Sequence, residues 1–295
     1  GLSDVYAFQY MAYYDHTPAR IAAAKEAAEK GMKIDPGMPE VHRSLGRYHM
    51  FTGDIPAAEK CFLTAIKYNP KYAIGYRTIG WLKRSSHQYD EALQWARKSL
   101  ELAPTDLETL LLLSLIHMDE KRFTVAISTL QRAIELGPDY GRAFYNLGTV
   151  YMKLGVSELA LENFLQAIKY KGDPNCYIDA GYVCLVTGDY VGARQRFEES
   201  IGAGYFSFVA HYLLGFLADI QGDAKEAHWQ FNRALELTAS SDGAPLDDIN
   251  LLGYRALALV GLGRWDEGKA ILSTLDTRAA DSGEVLCNMA RAWAV

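Results

Sequence analysis

A 34-residue alanine period constrains this chain more tightly than any other feature. Ala24, Ala58, Ala92, Ala126 and Ala160 are each 34 residues apart, and Ala193 and Ala227 continue the series. Such a period marks stacked two-helix units, each burying its apolar face on its neighbours. Set in register, the repeats run 5–38, 39–72, 73–106, 107–140, 141–173, 174–207, 208–248 and 249–282, with a partial unit at 283–295. Position 8 is then small throughout: Ala12, Gly46, Gly80, Ser114, Gly148, Gly181, Gly215, Ala256 and Ala290. Small residues there let two helices approach closely, while Phe62, Leu130, Phe164, Phe197 and Phe231 at position 24 fill the remaining space.

The punctuation agrees with helical hairpins. Gly53, Gly155, Gly188, Gly222 and Gly263 fall at position 15, where a first helix must end in a tight turn. Pro36, Pro70, Pro104 and Pro138 close second helices, because proline cannot continue them. That proline is lost in the later repeats, so less uniform inter-repeat turns are expected there. The surplus stretch 240–246 in the seventh unit reads as an exposed loop. The expectation is one continuous all-α array rather than two globular domains.

Composition excludes several functions. At 49% hydrophobic and 22% charged, the chain is neither disordered nor fibrous. Residues 1–104 carry 14 Lys/Arg against 11 Asp/Glu, and residues 105–295 carry 16 against 25. Neither portion has the cationic density that nucleic-acid binding requires, which argues against RNA or DNA as partner. Cys61, Cys176, Cys184 and Cys287 form no CxxC pair. Cys176 and Cys184, on one helix, would stand about 12 Å apart, beyond disulfide reach. A reducing, cytoplasmic setting is the inference. No apolar run approaches the ~20 residues of a membrane span. The chain opens at Gly1 rather than a methionine, and is expected to be an excised piece of a longer one.

This register resembles the tetratricopeptide repeat, with units such as Val41 through Gly46, Ala58, Phe62, Ala65 and Pro70. The resemblance implies a right-handed superhelical solenoid of antiparallel helix pairs whose first helices line a concave groove. It also implies a non-catalytic scaffold that holds a protein or peptide segment. The opening, from Gly1-Leu2-Ser3-Asp4 through Ile34-Asp35-Pro36 to Gly46, resembles repeat regions that follow cyclase, kinase or winged-helix domains in bacterial multidomain signalling proteins. A signalling or assembly role would follow from that.

Positions 2, 5, 9 and 12 of each first helix share one stripe and should face the groove. In the front repeats they supply Tyr13, Arg43, Arg47, Arg77, Trp81 and Arg84. Further on they supply Leu111, Leu115, Met118, Tyr145, Met152, Ile178, Tyr182, Tyr212 and Phe216. The expectation is a cationic-aromatic entrance and an apolar middle, suited to a segment with an acidic end and apolar anchors. The family's two-carboxylate clamp needs Lys, Asn, Asn, Lys and Arg. Here Arg43, Arg47, Thr78, Glu108 and Leu112 stand in those places, so a chaperone-tail clamp is not expected.

No cofactor or metal site is expected. His42, His49, His117 and His211 lack zinc spacing and read as interface residues. Gly261-Leu262-Gly263 sits at a helix turn without the strand that a phosphate loop needs. Met289, Ala290 and Trp293 lie on an unfinished last helix, which raises self-association as a second reading.

Overall fold

The computed structural model describes residues 18–239 and 249–276, and every described element is helical. Fifteen helices follow in order: α1 Pro18–Ile34, α2 Pro39–Phe51, α3 Ile55–Tyr68, α4 Ala73–Ser85, α5 Tyr89–Leu102, α6 Leu107–Asp119, α7 Phe123–Leu136 and α8 Gly141–Lys153, then α9 Ser157–Lys169, α10 Asn175–Val186, α11 Tyr190–Gly202, α12 Ser207–Ile220, α13 Ala224–Ala239, α14 Ile249–Gly261 and α15 Trp265–Asp276. Two compact units divide at Val150 and Tyr151, inside α8. Tyr13, the stretch 240–246, Cys287, Met289, Ala290 and Trp293 lie outside the described residues.

Within each unit the packing is between neighbours. In the first, α2 packs on α3, α4 on α5 and α6 on α7, while α2, α4 and α6 also touch in turn. The second repeats this scheme with α10 to α15. Each unit is therefore a solenoid of helix pairs. Its close approach is set by position 8. A Cβ added to Gly46 would fall 2.4 Å from the Phe62 ring, and one on Gly181 would fall 2.4 Å from Phe197. Where position 8 is Ser114, its partner is the smaller Leu130, and both are fully buried.

The hairpin turn is equally uniform. Position 15 is left-handed in every described hairpin from α2 to α15, at φ +81° in Gly53 and +74° in Gly263. His87 (φ 58°) and Lys121 (φ 59°) adopt this conformation without being glycine, so the turn rather than the residue dictates it. Asp54, Asp189 and Asp223 then cap the second helices through the backbone N–H groups of Ala57, Gly192 and Glu226. The prolines act as expected in the first unit, where α1, α3, α5 and α7 each end two residues before one. Inter-repeat turns of the second unit are less regular, with Lys171 at φ 50°, Gly204 at 77° and Phe206 at 47°.

Candidate partner-binding surface

In the first unit α2, α4 and α6 bring position 9 into one row: Arg47, Trp81 and Leu115, all half-buried. Trp81 packs against the cluster of Ala92, Leu93, Ala96, Leu112, Leu113 and Ile116. Arg84, three residues along the same helix, places its guanidinium carbon 5.5 Å from the Trp81 ring centroid. Its Nε and Nη2 donate to Asp119 Oδ2 and Oδ1 at 2.7 and 3.2 Å. The aromatic and the cation are thus fixed together by a carboxylate of the following repeat.

Arg77 is committed in the same way. Its Nη1 donates to Asp106 Oδ2 at 2.6 Å, and the same oxygen accepts from Thr109 Oγ1. Thr109 Oγ1 lies 3.0 Å from Ser99 Oγ, which donates to the Ala73 carbonyl at 2.9 Å. One repeat on, Glu108 Oε1 accepts from the Tyr140 hydroxyl at 2.7 Å and from Arg142 Nη1 at 2.6 Å. Burial, then the bond to Glu108, pushes the Tyr140 hydroxyl well above the usual phenol range.

These pairs correct the expectation of a cationic entrance. Arg77 and Arg84 are already paired within the fold, Arg77 through one guanidinium nitrogen to Asp106 and Arg84 through two to Asp119, so their charge is balanced before a partner's carboxylate arrives. The partners sit 29 and 35 residues downstream, at positions 34 and 13 of the register, off the stripe considered in the sequence. A search for opposite charges about one repeat apart would have found them. Arg43 and Tyr145 are half-buried on α2 and α8.

The apolar middle is corrected as well. Leu111 is 1% exposed and Met118 is buried, so neither lines an open groove. Thr109–Ser114 and Ile116–Met118 of α6 are all buried. A helix apolar all round is consumed on every side by its neighbours. Leu115 alone of that set stays partly open.

The second unit shows the same division. Tyr212 at position 5 is 1% exposed, with ring centroids of Phe231 and Tyr254 at 5.9 and 5.6 Å. It belongs to the core, not to a groove. Burial pushes its hydroxyl pKa up, and burial followed by the nearby Asp179 charge takes Tyr254 up to about 12. Tyr182 and Phe216, both at position 9, remain exposed and half-buried. Ile178 is half-buried and packs, with Phe216, on the same core cluster. Met152 is half-buried in α8. In the eighth repeat even position 9 closes, since Leu257 is buried. The accessible stripe is therefore narrower than four positions and in each unit centres on position 9, in repeats two to four of the first and repeats six and seven of the second.

The histidines pack as interface residues. His42 Nε2 lies 2.7 Å from the Pro36 carbonyl and its ring stacks on Tyr68. His211 Nδ1 lies 2.6 Å from Gln230 Oε1. His117 is buried, with Nδ1 3.9 Å from Glu120 Oε2. Among the described residues no three His, Cys, Asp or Glu side chains are placed to hold one metal ion. No described helix is long and apolar enough to cross a membrane.

Comparison with known proteins identifies the repeat. Residues 43–106 and 141–174 match models described as tetratricopeptide repeat, and 115–155 match one described as TPR repeat. The tetratricopeptide repeat-containing protein trd-1 of Caenorhabditis elegans is 26% identical over 187 residues, covering 60% of this chain and 24% of that protein. TPR repeat-containing protein MJ1428 of Methanocaldococcus jannaschii is 26% identical over 154 residues, covering 52% and 27%. The chain thus spans about a quarter of the length of both relatives. Among solved structures, that of pilF from Pseudomonas aeruginosa aligns with TM-score 0.59 at 20% identity, over 70% of this chain and 94% of that one. This likeness shows the fold.

Proposed function

We propose that this tetratricopeptide-repeat protein is a non-catalytic scaffold that holds a segment of another protein against the first-helix faces of its repeats. The position-9 row carries the reading. Tyr182 is 39% exposed and Trp81, Leu115 and Phe216 are half-buried, whereas Leu111 and Tyr212 at position 5 are each 1% exposed. Rigid aromatics that keep part of their area open after folding are the typical anchors of protein interfaces.

The partner's chemistry differs from the sequence expectation. With Arg77 and Arg84 already neutralised, an acidic end gains little at α4, and apolar anchors supply most of the affinity. The internal ion pairs hold Trp81 in place before a partner arrives, which lowers the ordering cost of binding. A role in bacterial signalling or complex assembly, with a catalytic or DNA-binding domain attached, fits such a scaffold.

The test is a peptide-display selection on the intact chain, repeated against Leu115→Glu and Tyr182→Glu. Peptides enriched on the unmodified chain should bind at least one of these variants tenfold or more weakly. Equal binding to both variants contradicts the reading.

A further inference from the structure

A second surface, unrelated to the first-helix stripe, lies along the hairpin turns of the second unit. The turns of both units share a left-handed backbone conformation at position 15, so their side chains can be compared position by position. In repeats two to four positions 13 to 18, residues 51–56, 85–90 and 119–124, carry no exposed large apolar side chain. In repeats five to eight the same edge carries exposed apolar groups: Leu154 at 45% and Val156 at 37%, Val186 at 59% and Val191 at 81%, Ile220 at 47%, and Trp265 at 41%. The fold does not require them, since the turns of repeats two to four make the same left-handed cap. Exposed apolar groups in or beside four successive turns are a continuous feature, not scattered surface leucines.

The charge of this edge indicates what it fits. The windows 152–159, 185–192, 219–226 and 260–267 contain three cationic residues, Lys153, Lys225 and Arg264, against seven carboxylates. Asp189 and Asp223 spend their side chains on backbone N–H groups, and Arg264 is already paired with Glu267. Glu158, Asp219 and Asp266 are exposed and have no ion-pair partner among the described residues. Apolar surface framed by net negative charge repels anionic lipid and attracts a cationic apolar segment.

We propose that the turn edge of repeats five to eight docks a cationic amphipathic helix of a protein partner. Adjacent helices stack 8–10 Å apart, so four turns span roughly 30 Å, the length of about 20 helical residues. The helix lays its apolar face on Val186, Val191 and Trp265, and its lysines or arginines meet the flanking carboxylates.

The probe is a fluorescein-labelled 20-residue Leu/Lys peptide with one apolar face, titrated against the intact chain by anisotropy. A Leu/Glu peptide of the same pattern and a Lys/Ala peptide of the same charge serve as controls. The double variant Val186→Ser/Val191→Ser, whose parent side chains are exposed, should keep the melting temperature and bind at least tenfold more weakly. Asp219→Asn/Asp266→Asn should flatten the salt dependence, and Leu115→Glu should change nothing. Four outcomes overturn the proposal: affinity within twofold in the valine variant, equal binding of the Lys/Ala peptide, equal binding of the Leu/Glu peptide, or loss of binding only in Leu115→Glu. Two more reassign the edge and equally overturn it. One is a doubled mass in light scattering that the valine variant abolishes, which makes the occupant a second copy. The other is adsorption to 3:1 phosphatidylcholine:phosphatidylglycerol vesicles that the same variant abolishes, which makes it a membrane.

Discussion

Arg84 is gripped through two nitrogens by Asp119 of the next repeat while its guanidinium lies over Trp81. The pair is mostly shielded, with side-chain exposures of 26% and 28%. A double-mutant cycle of Arg84→Ala and Asp119→Ala in urea should give a coupling of ~1 kcal/mol, as expected for a bidentate, partly buried pair. Asp119→Asn should also release the arginine, so that peptides with an acidic end gain affinity. A coupling near zero would mean that Trp81 is not held in this way.

The left-handed turn predicts two stabilising substitutions. A side chain in that conformation costs about 1–2 kcal/mol, part of which glycine returns as unfolded-chain entropy. Lys121→Gly should therefore raise unfolding free energy by ~0.5–1 kcal/mol in denaturant titration. His87→Gly should gain less, because it gives up the 2.9 Å contact of Nδ1 with the Tyr89 hydroxyl. Destabilisation in both would refute the turn geometry.

Position 8 offers a packing test. Gly181→Ala puts a methyl group inside the contact distance of Phe197 and should cost roughly 1–3 kcal/mol. Adding Phe197→Leu should restore part of the loss, imitating Ser114 with Leu130 in the fourth repeat. Strictly additive effects of the two changes would contradict the direct contact.

The hairpins and their close approach were legible in the sequence because small residues, glycines and prolines act locally and recur with the period. The stripe was only partly legible. Leu111 and Tyr212 have the polarity of groove anchors, yet position 5 is where neighbouring repeats claim them, and spacing within one helix does not show that. The charge of Arg77 and Arg84 was visible while its cancellation was not, since Asp106 and Asp119 lie a repeat away in sequence. His87 and Lys121 escaped the turn pattern because that pattern was read from glycine.

His117 gives a pH dependence with a defined sign. Burial, opposed in part by Glu120, lowers its pKa from the ordinary 6.5. The groups facing it are Glu120, Arg122 and, from α5, Arg97. With the folded value depressed, the unfolded chain takes the proton first. Stability is then complete above about pH 6.5 and falls as the pH drops toward the folded value. His117→Gln should remove part of this loss in melting curves recorded between pH 7.5 and 5. Identical pH profiles for the two proteins would exclude the histidine as its source.

The central claim is that partners lie on the first helices at position 9. Site-specific photocrosslinking tests it most directly, with a benzoylphenylalanine placed in turn at Leu115, at Tyr182 and at Val125, which is exposed on the second helix α7. With a selected peptide bound, adducts should form at 115 or 182 and not at 125. Adducts at 125 alone would contradict the account.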